Sequence, residues 1–244
     1  MTPPQGIRLN KYLASCGVGS RRSCDVLVQS GEVTINGETC LNPGQRILPG
    51  DFVRAGGRRI EPLEIRSIVF HKPPGFVCTR KDENNRPTIY DLIPPRYHHL
   101  AHVGRLDRDS EGLLILSNDG ELAQALTHPS HRVHKVYQVT TENAFENAIL
   151  GQLEKGVFTE VGKARAVSVK RISPRRLEMV LDTGLKRQIR YMLLAVGHRV
   201  KRLVRLRIGD LTLGTLKPGK WRFLEKNERD ALLEAVTAPK KGKP

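Results

Sequence analysis

The chain has 244 residues, 39% of them hydrophobic, and its 41 Lys and Arg against 25 Asp and Glu give a formal net charge of +16 and a pI near 10.1. That length holds one large or two smaller domains, and a field of that sign and size attracts polyanions, nucleic acid first among them. No apolar run approaches the roughly 20 residues that a membrane-spanning helix needs, and MTPPQGIRLNKY at the N-terminus lacks the apolar stretch of a secretory leader. The expectation is a soluble, cytoplasmic protein with no membrane partner. Cys16, Cys24, Cys40 and Cys78 form no C-x-x-C pair, so a zinc ribbon or thioredoxin-type site is not supported and reduced thiols are expected.

Taken in chain order, Leu9, Tyr12 and Leu13 stand at helical spacing. Ser20 is placed to cap a second helix through Val26, Leu27 and Gln29, which Gly31 ends. Val33-Thr34-Ile35 entering Asn36-Gly37 reads as a strand and a tight turn, and Pro49-Gly50-Asp51 as a turn before Phe52-Val53. Residues 7–62 are thus two helices carrying Arg8, Lys11, Arg21 and Arg22, followed by short strands. A linker at Glu61-Pro62-Leu63 leads to a second unit over 66–236.

In that unit the pattern predicts a strand at 67–71, a turn at 72–75, a polar, mobile loop at 80–87 and a buried strand at 113–117. A helix at 119–127, a strand at 135–140 and a helix at 143–155 come next. A hairpin of 165–173 with 176–182, a helix at 186–196 and a mostly extended stretch at 200–213 complete the reading. Residues 237–244 are expected to be a disordered basic tail. Helices and strands are mixed without strict alternation, so the fold class is α+β with a mixed, largely antiparallel central sheet.

Between residues 170 and 226 sixteen basic residues face four acidic ones. Such a stretch should bind phosphates with an affinity that falls steeply with salt, Arg199, Arg202, Arg205 and Arg207 being candidates. The most informative segment is GRLDRDSEGLLILSNDG, residues 104–120. It places Asp107 between Arg105 and Arg108, ahead of a glycine and an apolar run. Cations there keep a carboxylate ionised and a strand anchors it, which makes Asp107 a candidate catalytic group. If the segment is extended, Arg105 and Asp107 share a face. In 135–139 alternation puts Lys135, Tyr137 and Val139 on one face. In 183–192, at 100° per residue, Ile189, Met192, Leu193 and Val196 form a core face with Arg187, Arg190 and Tyr191 opposite.

The order of residues in 104–120 resembles the signature of the RsuA/RluB/RluE/RluF family of rRNA pseudouridine synthases. RLNKYLASCGVGSRR (8–22), GEVTINGE (31–38) and LPGD (48–51) resemble the S4 RNA-binding domain. The resemblance runs over nearly the whole chain. It implies an S4-like (αL) domain at 7–62 holding structured RNA and a pseudouridine synthase catalytic domain at 66–236. The implied reaction isomerises one uridine of ribosomal RNA, the large-subunit RNA slightly favoured. No cofactor or metal is implied; the partner is ribosomal RNA, free or in a precursor particle, and the chain is expected to be a monomer.

The resemblance also assigns roles. Asp107 is the nucleophile, Arg190 its ionic partner and Tyr137 the surface on which the flipped uracil stacks. Arg105 fills or flanks the space the nucleotide leaves, and Arg187 faces the RNA. Leu211 forms the apolar wall of the pocket. Lys72, with Pro73 in HKPPG (71–75), fixes a turn beneath the cleft and is counted with Arg202 and the first unit's Arg8, Lys11, Arg21 and Arg22 among residues on the RNA side. The family more often has Asn and Arg where this chain has Lys186 and Tyr191, a departure that touches RNA contacts.

Asp109 reads as a solvated or structural carboxylate and Asp119 as a helix cap. His128, His131 and His134 are interrupted by Pro129 and lack a ligand set. The rival reading, a non-catalytic S4-type RNA-binding or ribosome-assembly factor, uses the same charge. It has no need of a carboxylate in an RNA cleft. A DNA-binding protein would need a motif that the chain lacks.

Overall fold

The computed structural model describes residues 6–160 and 162–237, and the chain divides into two compact units between Ile65 and Arg66. The residues from 238 in the tail expected to be disordered lie outside the described ones; Thr237 ends a helix.

The first unit runs β1 (Ile7–Arg8), α1 (Leu9–Ser15), α2 (Arg21–Gln29), β2 (Val33–Ile35), β3 (Glu38–Thr39), β4 (Arg46–Ile47), β5 (Val53–Ala55) and β6 (Arg58–Arg59). Ser20 caps α2, its Oγ accepting from Ser23 N–H at 3.1 Å, which satisfies one of the free donors of the first turn. The apolar faces of both helices, Leu9, Leu13, Cys24 and Val28, close on Val33, Ile47 and Val53. Arg8, Lys11, Arg21 and Arg22 remain exposed.

The second unit is built on a nine-stranded sheet. Its elements are β7 (Ser67–Lys72), β8 (Ala101–Val103), β9 (Glu111–Ser117), α3 (Gly120–Thr127), β10 (Lys135–Thr141), α4 (Ala148–Lys155), β11 (Val157–Thr159), β12 (Gly162–Ala164), β13 (Ser168–Ser173), β14 (Arg176–Leu181), α5 (Gln188–Ala195), β15 (Val200–Ile208), β16 (Leu211–Thr212), β17 (Trp221–Phe223) and α6 (Lys226–Thr237). The main path is β13-β14-β10-β15-β9-β7-β17, with β8 on β9 and β16 on β15. Every pairing in it is antiparallel except β15 with β9. The sheet is therefore mixed and largely antiparallel. β9 is buried along its whole length. Leu113 and Ile115 pack with Leu122 of α3 and Leu232 of α6. Leu114 and Leu116 pack on the other face with Ile89, Tyr90 and Tyr97. Cover on both faces explains its continuous apolar run.

Three predicted elements differ. The helix expected at 143–155 begins only at Ala148. Phe145 enters the core at 3% exposure and its N–H donates to Pro174 O, which holds 143–147 out of helical register. The helix expected from 186 begins at Gln188 because Arg187 has φ +52°. The loop at 80–87 is closed by Asp82, whose carboxylate accepts from the Arg86 side chain and from the Asn84 and Arg86 N–H groups. These donors, the Arg86 side chain first, hold the Asp82 pKa near 2. Elements β8, β11, β12, β17 and α6 had no counterpart in the sequence reading.

Candidate active site

The site sits where the two parts of the large sheet meet, at the parallel pairing Val204↔Glu111 and Arg205↔Gly112. The chain reaches that seam through 104–110. Gly112 has φ +113°, and a Cβ there would lie 2.3 Å from Arg205 O and 2.6 Å from Arg205 N. Only glycine permits this approach of two backbones.

A cleft of about 660 Å³ opens over the seam, within the size range of ligand sites. Asp107, Arg105, Tyr137, Arg187 and Arg205 are among the residues lining it. Leu106 is 7% exposed and joins the core that contains Tyr137, Ile189 and Met192. With its neighbour turned inward, Asp107 stands partly exposed and Arg105 exposed on the cleft side, as expected for an extended segment.

The backbone of this segment is tied from below. Lys72, fully buried, donates from Nζ to Ser110 O at 2.8 Å, Pro73 O at 3.0 Å and Arg108 O at 3.3 Å. Burial lowers its pKa to about 8. Gly75 N–H donates to Arg108 O at 2.7 Å, so the HKPPG turn and the segment that carries Asp107 hold one another. Cys78 exchanges hydrogen bonds with the Leu106 backbone. Lys72 is thus a scaffold residue beneath the cleft, as its turn-fixing reading implies. Its place among RNA-side residues is corrected: its ammonium is committed to three backbone carbonyls, and the side chain is not part of the cleft lining.

The cationic wall comes from α5 and the residue before it. Arg187 Nη1 lies 3.1 Å from Asp109 Oδ1, and Arg190 Nη2 lies 3.2 Å from Asp109 Oδ2 and donates to Asp109 O at 3.0 Å. Burial acts against ionisation of Asp109, but the Arg187 hydrogen bond and the Arg190 charge outweigh it and lower its pKa. The expected pairing of Arg190 with Asp107 is corrected here. The ion pair of Arg190 runs to Asp109, and Asp107 acts on it through charge at longer range. The two-residue step from Asp107 to Asp109 spans a turn, which brings the second carboxylate to α5. Asp109, set aside in the sequence reading, is the clamp. Asp119 is the cap of α3, accepting from Glu121 and Leu122 N–H.

Two further expectations change. Leu211 is 4% exposed and packs with Leu122, Leu213 and Leu232. Its cross-strand partner Ile208 lines the cleft instead. Arg205, expected on a phosphate-binding surface, is 2% exposed and donates to Leu113 O at 2.7 Å and Arg105 O at 3.3 Å. Arg202 keeps an exposed side chain but pairs with Glu111. The period-2 pattern of 200–208, which puts Arg205 on the face of Leu203, was the available signal for its inward direction. Gln188, buried, accepts from Thr183 Oγ1 and Leu185 N–H and shapes the rim. Lys135, also in the lining, donates to Val133 O, and burial followed by the Arg205 charge lowers its pKa to about 8. Among the described residues no group of three His, Cys, Asp or Glu is placed to hold a metal, and no helix is long and apolar enough to cross a membrane.

Residues 66–195 match the family model described as RNA pseudouridylate synthase, and residues 7–53 match the S4 domain. The chain belongs to the RNA pseudouridylate synthase family. It is 36% identical over 236 residues to an uncharacterized RNA pseudouridine synthase of Aquifex aeolicus, covering 94% of this chain and 95% of that one. It is 35% identical over 244 residues to ribosomal large subunit pseudouridine synthase B of Escherichia coli O6:H1, covering 95% and 84%. A solved structure titled as a pseudouridylate synthase superposes with a TM-score of 0.68 at 27% identity, covering 93% of this chain and all of that one. As an enzyme of this family the chain is an isomerase acting on RNA, and the cleft at the sheet seam is where its family signature lies.

Proposed function

We propose that this RNA pseudouridine synthase modifies one uridine of large-subunit ribosomal RNA, with Asp107 as the nucleophile. The observation that carries the assignment of Asp107 is its position in the lining of the cleft that Tyr137 and Arg187 also line. The substrate class is supported by the similarity to the large-subunit enzyme of Escherichia coli O6:H1 and by the +16 net charge.

The reaction breaks the N1–C1′ bond of uridine, forms C5–C1′ and exchanges the C5 proton for one at N1. An enzyme reaching such a base extrudes it from the stack. Tyr137 supplies the stacking surface, of the kind worth about 1–3 kcal/mol per base. Arg105 occupies the space left behind. Asp107 serves as nucleophile while the Arg187–Asp109–Arg190 clamp fixes the backbone that carries it and lends it positive potential. Exposed Arg8, Lys11, Arg21 and Arg22 of the first unit hold structured RNA. The enzyme acts as a cytoplasmic monomer and needs no cofactor, and its substrate is the free RNA or a precursor particle.

The test is tritium release from ribosomal RNA labelled at uracil C5, presented both free and in ribosomal particles, with Asp107→Asn alongside. Wild type is expected to release label from large-subunit RNA, and the variant at least about 1,000-fold more slowly. Comparable release by both would remove Asp107 from the chemistry; release only from small-subunit RNA would reassign the substrate.

A further inference from the structure

Two residues that line the cleft each bury a polar atom that has no hydrogen-bond partner among the described residues: Arg205 Nη2 and Ser110 Oγ. Arg205 is 2% exposed and Ser110 1%. A guanidinium N–H left unpaired inside a protein costs free energy, so its persistence asks for a ligand.

How Arg205 arrives there is a matter of register. Along β10 and β15, Val136 pairs with Arg207 and Tyr137 with Arg205, so Leu206 is skipped and the ladder carries a bulge. Bulges of this kind re-aim side chains next to active sites. This one sets Arg205 directly across from Tyr137, so both side chains leave the same face of the sheet. Two of the guanidinium nitrogens are occupied, Nε by Leu113 O at 2.7 Å and Nη1 by Arg105 O at 3.3 Å. The group is therefore fixed in orientation, with its remaining donor nitrogen buried in the wall of the cleft and without a partner among the described residues. No ion pair to a carboxylate is recorded for Arg205 among the described residues.

A base lying against Tyr137 would present its edge to this floor. Uracil offers carbonyl acceptors at O2 and O4, with an N3–H donor between them; cytosine puts an amino donor in place of O4. We propose that Arg205 reads the target base, donating from Nη2 to a carbonyl oxygen of the flipped uracil, with Ser110 Oγ as the partner of the adjacent N3–H. Where that oxygen is O4, cytosine in the same pose sets donor against donor and leaves the guanidinium unpaired, a penalty that discriminates more strongly than a lost apolar contact. The inference rests on the synthase reading and on Tyr137 as the stacking surface.

The experiment measures single-turnover tritium release from large-subunit ribosomal RNA transcripts carrying C5-tritiated uridine, 2-thiouridine or 4-thiouridine. Sulfur is a weaker acceptor than oxygen. RNA affinity is measured in parallel by filter binding. Wild type is expected to slow about 10-fold or more on one of the two thio transcripts, with binding unchanged. Arg205→Met is expected to be slow on uridine and to lose that preference between oxygen and sulfur, while Ser110→Ala retains it.

A wild type indifferent to both sulfur substitutions overturns the proposal, however the variants fold. So does an Arg205→Met that is slow yet keeps the full thio effect, because the arginine would then act only through the backbone it ties. No release from unmodified uridine, in free RNA or particles, would instead overturn the synthase reading beneath it.

Discussion

The cations of the two units do different work. On β1, α1 and α2, Arg8, Lys11, Arg21 and Arg22 are exposed, outside the Leu9–Leu13–Cys24–Val28 core. Around the cleft of the second unit, Lys72 and Arg205 are buried and donate to backbone carbonyls, and Arg187 and Arg190 are committed to Asp109. A count of charges cannot separate the two. The first set is exposed, and its proposed role is affinity for a polyanion; the second builds a frame around the short segment that carries Asp107. The same amino acids should therefore respond to substitution in opposite ways.

The sharpest break of the frame is Gly112→Ala. With φ at +113° and Arg205 backbone atoms within 2.6 Å of the new Cβ, the strand seam must open. A loss of about 4 kcal/mol or more is expected, read as a large drop in the urea midpoint and loss of tritium release. Retained stability would mean that the seam is softer than its geometry.

Lys72→Met comes next. It leaves three carbonyl acceptors without their ammonium, at a cost of about 2–4 kcal/mol at pH 7. Its pH dependence sharpens the test. The Lys72 pKa is lowered to about 8 in the folded chain from 10.5, so between those values the unfolded chain holds more protons and wild-type stability gains as pH rises. The gap between wild type and Lys72→Met in unfolding midpoint should widen from pH 8 towards pH 10.5. A narrowing gap would contradict burial as the cause.

Asp109→Asn tests the clamp. Its side chain is 48% exposed, so stability should change by less than about 1 kcal/mol. The turnover rate should fall about 10- to 100-fold, since the segment carrying Asp107 loses the ion pairs to Arg187 and Arg190 and keeps only the Arg190 bond to Asp109 O. A loss as large as that of Asp107→Asn would make Asp109 a direct participant.

The smallest effect belongs to the first unit. Arg21→Ala with Arg22→Ala should leave the melting temperature within about 2 °C, weaken RNA binding, and reduce the slope of log affinity against log salt by about 0.7–0.9 per phosphate contact removed. An unchanged slope would take α2 off the RNA.

Asp107, Tyr137 and Arg187 could be picked out before the fold was known because each lies in a contiguous motif whose residue order is distinctive. The elements read correctly are those governed by local rules: the Ser20 cap, alternation in β10 and the apolar run of β9. The helix at 143–155 was overextended because a tertiary contact of Phe145 decides its start. Asp109 looked ordinary because its partners come from 78 and 81 residues further along the chain.

By itself the sequence determined the α+β class, the two-unit order, the basic surface of the first unit and the segment that carries the candidate nucleophile. These follow from composition, periodicity and residue order, which act over a few residues at a time. Only the tertiary structure decided which carboxylate Arg190 holds, that Lys72 lies under the cleft and that Arg205 is buried in its wall. Those outcomes depend on strand register, on a bulge at Leu206 and on the close crossing at Gly112, where residues distant in the chain compete for the same few buried hydrogen-bonding groups.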